Sequence, residues 1–356
     1  MINNIEQYND LIERTSIENY RRRKIVKNLS AIALSVSILL SGCQIDRENS
    51  AVITSQPIVI ETLEPTPEPT PTPEIKPEII GVPGLNGELF SSVPTWEQDF
   101  SSVESGMFDV RKNWNIFVGP APANKEAQYY TNNLDNICIE DGALVIEAKV
   151  EQMGNQNYTS ARISTEGKQD FMYGKFDIYA KLPGGIGTSP AVWLYPSEYK
   201  YKTMYPNTNF ENTYLDGELD IVESIGSEPN VVYGIAHAIK SPDNGKYFST
   251  VKVPDNFTKF HHYGIEWTPT NLTFTVDDEV YYSVDKKDSY DFQQWPYDQK
   301  YNLIINLALG GIWAGRDVKN FPGDGIDKSV LPAQFEIKSV AYYEYVAPDS
   351  VDKQIG

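Results

Sequence analysis

From Trp96 to Tyr345 the chain is a succession of short runs rich in β-branched and aromatic residues, each closed by Gly, Pro, Asn or Asp. Ala143 to Lys149, Lys175 to Lys181, Leu272 to Val276, Tyr301 to Leu309 and Phe335 to Tyr345 are examples. Such runs suit strands, because branched and aromatic side chains pack well on a pleated surface while the punctuating residues supply turns. No long stretch carries the 3.6-residue apolar period of a helix, and no internal repeat is found. The expectation is an all-β sandwich. At 356 residues there is room for one large β domain with appendages.

Charge and composition narrow the function. A net charge of −19 argues against a nucleic-acid partner, whose phosphates would be repelled, and says little about a neutral sugar polymer. Aromatic residues make up 12%, with 23 Tyr and six Trp. Flat rings stack on sugar faces, although most aromatic residues in a β protein serve the core. Two cysteines, one of them Cys138 in a strand-like run, exclude a disulfide framework.

The first 93 residues read as address and spacer. Arg21 to Lys24 precede the apolar stretch Ala31 to Leu40, which has signal-peptide length and is too short and Ser-rich for a membrane span. Leu40-Ser41-Gly42-Cys43 resembles a bacterial lipobox. Residues 1–43 are therefore expected to be a lipoprotein signal, with Cys43 the lipidation site. Two or more acyl chains on that cysteine would hold the protein stably on the membrane, at the bacterial cell surface, with the folded domain outside the cytoplasm. Residues 44–93 are read as a linker, whose Glu64-to-Pro73 segment is Pro-rich and extended. The domain is placed at 94–346, with a short tail at 347–356. A monomer is expected.

Chemistry concentrates in Gly217-Glu218-Leu219-Asp220-Ile221-Val222-Glu223-Ser224, three carboxylates among strand-forming apolar residues. Strand side chains alternate, so Glu218 and Asp220 share a face and Glu223 should point away. One extra residue between Asp220 and Glu223, taken up as a β-bulge, would bring all three onto one face. Glu218 and Glu223 would then start roughly 13–16 Å apart at Cα. Leaning side chains could close that to the roughly 5–5.5 Å used by a nucleophile and an acid in retaining glycosidases. Crowded like charges raise at least one pKa, which a general acid needs. An acidic solvent face on an amphipathic strand is the plainer alternative.

The string Glu218-Leu219-Asp220-Ile221-Val222-Glu223 resembles the bulged E-x-D-x-x-E signature of glycoside hydrolase family 16, which includes laminarinases, agarases and carrageenases. Other segments agree in order: Asn124 to Thr131, Glu140 to Ile146, Ser160 to Ile163, Tyr173 to Phe176, Ala180 to Pro183, Val232 to His237, Phe260 to Pro269 and Asn306 to Gly311 with Trp313. The resemblance spans about Trp96 to Tyr343 and implies a concanavalin-like jelly roll with a concave substrate cleft.

It also implies roles. Glu218 would be the nucleophile, Glu223 the acid/base, and Asp220 would hydrogen-bond Glu218 and modulate both. His237 would border the site, Asn124, Glu126 and Arg162 would line the glycone side, and Trp193 and Trp313 could stack on sugars. His237 could equally be structural, Asn124, Glu126 and Arg162 ordinary fold contacts, and the Trp residues core. His261 and His262 lack a Cys or carboxylate at zinc spacing, so no catalytic metal and no required cofactor are expected. The structural calcium common in the family is weakened by Lys338 near the expected acid.

The implied activity is retaining, endo-acting hydrolysis of β-1,3 or mixed β-1,3/1,4 glucans. A β-galactan endohydrolase or a transglycosylase of the same family is the alternative, and a non-catalytic glycan-binding sandwich a further one. Two departures bear on substrate: Gly187-Thr188-Ser189-Pro190-Ala191 lacks the usual Trp, and a Tyr-rich enlarged loop, Tyr199 to Asp216, leads into Gly217.

Overall fold

The computed structural model describes residues 81–103, 112–205, 214–242, 245–315 and 324–347. The signal segment, Cys43, the Pro-rich linker and the last residues of the tail lie outside the described residues. Among those described, no helix is long and apolar enough to cross a membrane.

Strands dominate, as the short apolar runs require. Seven form one antiparallel sheet in the order Lys246–Lys252, Val231–His237, Glu218–Glu223, Thr188–Pro196, Tyr301–Leu309, Arg162–Ser164, Asn115–Ile116. A larger sheet is built around Gly174–Lys181, His261–Trp267, Asn271–Val276 and Ala333–Tyr343. Alternation sorts the side chains. In Gly174–Lys181, Phe176, Ile178 and Ala180 are buried while Lys175, Asp177, Tyr179 and Lys181 are partly exposed. Phe176 and Ile178 share one apolar core with Val192, Leu194, Leu219, Leu303 and Ile305 of the smaller sheet. Each such side chain contributes about 1.5–3 kcal/mol on burial, enough together to hold the register of both sheets. This is the two-sheet sandwich expected from the sequence.

Strand structure begins earlier than expected. Gly81–Pro83 and Leu89–Ser91 pair with each other, and Leu89–Ser91 pairs with Tyr345–Val346, so the linker does not extend to residue 93. Phe90 is buried there, edge-on to Tyr345. A three-residue strand carries too little periodicity to stand out next to a Pro-rich segment.

Candidate active site

The acid strand Glu218–Glu223 carries the bulge that the family signature implies. Against Thr188–Pro196, Val192 pairs with Val222 and Trp193 with Asp220, which leaves Ile221 as the extra residue. The partner on the other side shows the same slip between Asp220 and Glu223. Both Ile221 and Val222 enter the core, and the alternation resumes one residue out of phase. Glu218, Asp220 and Glu223 thereby share the face turned away from the core. Gly217 opens the strand at φ +75, and a Cβ there would meet the Tyr301 hydroxyl at 2.6 Å, so only glycine fits. The turn is pinned by Tyr301 Oη and Gln299 Nε2, which donate to the Asp216 carbonyl at 2.6 and 2.9 Å.

Although they face away from the core, the three acids are shielded from water. Asp220 is 3% exposed, and the Glu218 side chain 16%. Burial pushes the Glu223 carboxyl up to about 8, and the negative charge of Asp220 adds to it. Glu218 is raised by the same causes in the same order, and Asp220 by burial, against which the Lys246 ammonium works. The trio cannot all ionise at neutral pH. Burial lowers the His237 pKa, so its imidazole is neutral there.

His237 is cross-strand partner of Glu218 on one side and of Lys246 on the other. Its Nε2 lies 3.2 Å from Asp220 Oδ2 and 3.6 Å from Glu218 Oε1. The imidazole thus stands within ion-pair distance of both acids, while Asp220 Oδ2 makes no hydrogen bond among the described residues. Tyr214 lies flat on the His237 ring, centroids 4.1 Å apart and planes 10° off parallel.

The remaining expected residues flank the acids in two groups. Arg162 stacks over the Trp193 ring at 4.9 Å, and Trp193 Nε1 donates to Asn306 Oδ1 at 2.8 Å. Glu126 accepts from Gln128 Nε2 at 2.8 Å and Asn124 Nδ2 at 3.5 Å, its pKa is raised by burial, and its charge is felt by Glu223. Asn124 itself has φ 56, and its carbonyl accepts from Ile312 N at 2.8 Å. Gly311 sits against that carbonyl, where a Cβ would approach to 2.7 Å. The second group is Trp313, edge-on to Tyr233 at 5.4 Å, with the Lys246 ammonium 5.4 Å from its ring.

Tyr214 and Lys246 were missed by the sequence reading, whereas Gln128 and Asn306 stand in segments that resemble the family and were given no role. Lys246 reaches the site only through strand pairing, which no local spacing reveals. Tyr214 belongs to the enlarged loop, whose Tyr-rich composition was the available signal; residues 206–213 of that loop lie outside the described residues.

Glu218, Asp220 and His237 bring one ligand atom each within 4.8 Å of one another, a spacing that could hold a cation. The stretch where the resemblance implied calcium fits one poorly. Glu336 is paired with Lys181 at 2.6 Å, and the Lys338 ammonium lies over Phe260 at 4.5 Å. His261 and His262 do meet carboxylates, Asp277 at 2.7 Å, Asp255 at 3.2 Å and Asp177 at 2.8 Å, which sequence spacing hid.

Comparison with known proteins agrees with this geometry. The profile of Glycosyl hydrolases family 16 matches residues 124–329. A β-glucanase of Rhodothermus marinus is 36% identical over 75% of this chain and 92% of its own length. A glucan endo-1,3-β-glucosidase of Cryptopygus antarcticus is 30% identical over 67% of this chain and 89% of its own. The crystal structure of the laminarinase from Rhodothermus marinus superposes with a TM-score of 0.64, at 35% identity, covering 72% of this chain and 98% of that one. With its bulged acid strand and its sandwich of two sheets, the chain belongs to glycosyl hydrolase family 16.

Proposed function

We propose that this chain is a retaining, endo-acting β-glycosidase that hydrolyses internal β-1,3, or mixed β-1,3/1,4, linkages of glucans. The observation that carries the reading is the bulge at Ile221, which gathers Glu218, Asp220 and Glu223 on one shielded face. Relatives whose names record β-glucanase, endo-1,3-β-glucosidase and laminarinase activity support the substrate class.

The chemistry needs the two carboxyl groups in different protonation states; burial and the Asp220 charge raise both, and at Glu218 the Arg162 guanidinium works against them in favour of the charged form. Glu218, ionised, attacks the anomeric carbon and forms a glycosyl ester as the glycosidic C–O bond breaks. Glu223, held protonated by burial, gives its proton to the departing oxygen. Water then enters; Glu223, now a carboxylate, takes its proton, and the hydroxide displaces Glu218 with a second inversion, so the β configuration returns. Asp220 keeps a negative charge or a shared proton beside both groups, and neutral His237 orients them. Trp193 and Trp313 offer ring faces to sugars, with Asn124, Glu126 and Arg162 supplying polar contacts on the glycone side.

Carboxyl groups suffice for this reaction, and we take no cofactor to be required. Residues 81–347 incubated with laminarin, barley mixed-linkage glucan, agarose and carrageenan, with and without EDTA, test both points. Oligosaccharides from laminarin or barley glucan, first appearing as the β-anomer by proton NMR and unaffected by EDTA, are expected. An initial α-anomer would sink the double displacement, and products from the galactans alone would move the substrate to that class.

The proposal extends to location. The basic flank, the apolar stretch and Leu40-Ser41-Gly42-Cys43 support a lipid anchor at Cys43 on a bacterial surface, with a Pro-rich spacer holding a monomeric domain outward. Cys43→Ala should release the protein from the membrane fraction; if it stays bound, the anchor lies elsewhere.

A further inference from the structure

Hydrolysis by two carboxyl groups does not explain why His237, Asp220 and Glu218 turn lone pairs toward one another. One ligand atom from each lies within 4.8 Å of the other two, and His237 Nε2 is 3.2 Å from Asp220 Oδ2 and 3.6 Å from Glu218 Oε1. We propose that these three residues form a binding site for one divalent transition-metal ion of the zinc type, and that the ion blocks the acid strand. It competes with substrate and takes no part in the reaction. Ion binding stands on these residues alone, whereas the block on turnover rests on the glucanase reading above.

Three observations carry it. First, the imidazole is set as a metal-binding histidine is set. The Gly245 carbonyl accepts a hydrogen bond from the ring, and because Nε2 faces the acids, Nδ1 is the donor. A neutral ring whose proton sits on Nδ1 carries a bare lone pair at Nε2. A carbonyl on the second nitrogen is the usual support of a ligating histidine, since it fixes both tautomer and ring orientation. Tyr214 lies flat on the ring, and Tyr297 Oη donates to the His237 carbonyl at 3.1 Å, so the group is held before any ion arrives.

Second, Asp220 aims a buried and unpartnered oxygen at that lone pair. Its side chain is 4% exposed, and Oδ2 accepts no hydrogen bond among the described residues. A buried oxygen turned to another lone pair calls for a positive occupant between them, either a proton or a metal ion. The spacing suits the metal. Ligand atoms bound at about 2.0–2.2 Å around a tetrahedral zinc ion stand about 3.3–3.6 Å apart. The two separations from Nε2, 3.2 and 3.6 Å, match that shell.

Third, donor set and access select the ion. One imidazole nitrogen with two carboxylate oxygens suits zinc, whereas calcium and magnesium favour six or more oxygen ligands. The Glu218 and His237 side chains are 16% and 15% exposed, so an ion can enter from solvent and keep a fourth position for water. One charge resists it. Lys246 is the strand partner of His237, its ammonium lies 4.4 Å from the Phe248 ring and 5.4 Å from the Trp313 ring, and its field reaches both Asp220 and His237. An ion bound to Glu218 withholds that carboxylate from the anomeric carbon.

Isothermal titration calorimetry tests the site on the full chain, stripped with EDTA, dialysed, and titrated with zinc chloride or magnesium chloride. One zinc ion per chain is expected, and no magnesium. His237→Ala should weaken zinc binding by at least about 10-fold. Glu218→Gln should also weaken it, and it stands in if His237→Ala does not fold by circular dichroism. Lys246→Met keeps an apolar stem on the two rings and should tighten zinc by about 3- to 10-fold. On laminarin, zinc should raise KM with kcat unchanged, and EDTA should reverse the effect. No zinc binding, or binding that survives both ligand substitutions, overturns the site. Zinc binding that leaves laminarin hydrolysis untouched overturns the block. A chain that binds zinc through His237 and cleaves no glucan supports the site and overturns the glucanase reading.

Discussion

His237 stands among Glu218 and Asp220 on the seven-stranded sheet, whereas His261 and His262 meet Asp255, Asp277 and Asp177 on the larger one. The residue types are the same and the contact distances similar. Their surroundings are not. Around His237 the side chains of Asp220 and Glu218 are 4% and 16% exposed, while Asp277 is 52% exposed. In the shielded cluster burial drives the carboxyl pKa values up and the imidazole down. In the open one, burial still raises Asp277, but hydrogen bonds from His261 and the His262 backbone outweigh it, and its pKa is lowered. Asp255 is lowered chiefly by its hydrogen bond to Lys259. Water, or its exclusion, decides whether a histidine–carboxylate group stores reactivity or forms a surface ion pair.

The sharpest way to break the contrast is at the nucleophile. Glu218→Gln keeps the size and hydrogen-bonding capacity of the side chain but cannot form the ester, so laminarin hydrolysis should fall by at least about 10⁴-fold with binding retained. Hydrolysis near the wild-type rate would remove Glu218 from that role.

Asp220→Asn should act next, at roughly 10²- to 10³-fold on kcat, and its pH profile is the more telling readout. Removing the Asp220 charge lowers the Glu223 pKa, which stands near 8 with that charge present, so the alkaline limb should move to lower pH. The same variant should be more stable at pH 8. A carboxyl raised in the folded state binds its proton more tightly there than unfolded, so its contribution fades as pH rises from the unfolded value through the folded one. Relief of that burden should lift Tm by about 2–4 °C by differential scanning calorimetry. An unmoved alkaline limb would mean that Glu223 does not feel Asp220.

The smallest effect belongs to the open cluster. Asp277→Asn should change turnover less than about twofold and stability by at most about 1 kcal/mol, with the difference shrinking in high salt. The sign with pH is opposite here. The folded-state pKa of Asp277 is depressed, so its contribution is present above the unfolded carboxylate value and disappears as pH falls through the folded one. A large loss of activity would show that the two sheets are coupled through the core.

The acid strand was legible because its information is local. Alternation sets the faces, and the adjacent pair Ile221 and Val222 between two acids cannot both point inward without a bulge. The sandwich was legible for the same reason, repeated strand after strand. Asn124, Glu126, Arg162 and Trp193 could be picked out only through resemblance to a family, since nothing within ten residues of each announces a ligand. Lys246 could not be found at all. It reaches His237 by strand register, and register across a sheet is set by the hydrophobic face of every strand together.

Side-chain period was enough to state an all-β class, which follows from the pleat that each strand carries within itself. Alternation alone left Glu223 pointing away from Glu218 and Asp220, and the bulge that gathers the three was an expectation supported by resemblance to the bulged family signature. Folding alone decided the protonation states, because these depend on how much water the surrounding elements exclude from Glu218, Asp220, Glu223 and His237. It decided the end of the linker as well. Leu89–Ser91 pairs with Gly81–Pro83 close by and with Tyr345–Val346, more than 250 residues away in the chain, and the second pairing exists only once the chain is folded.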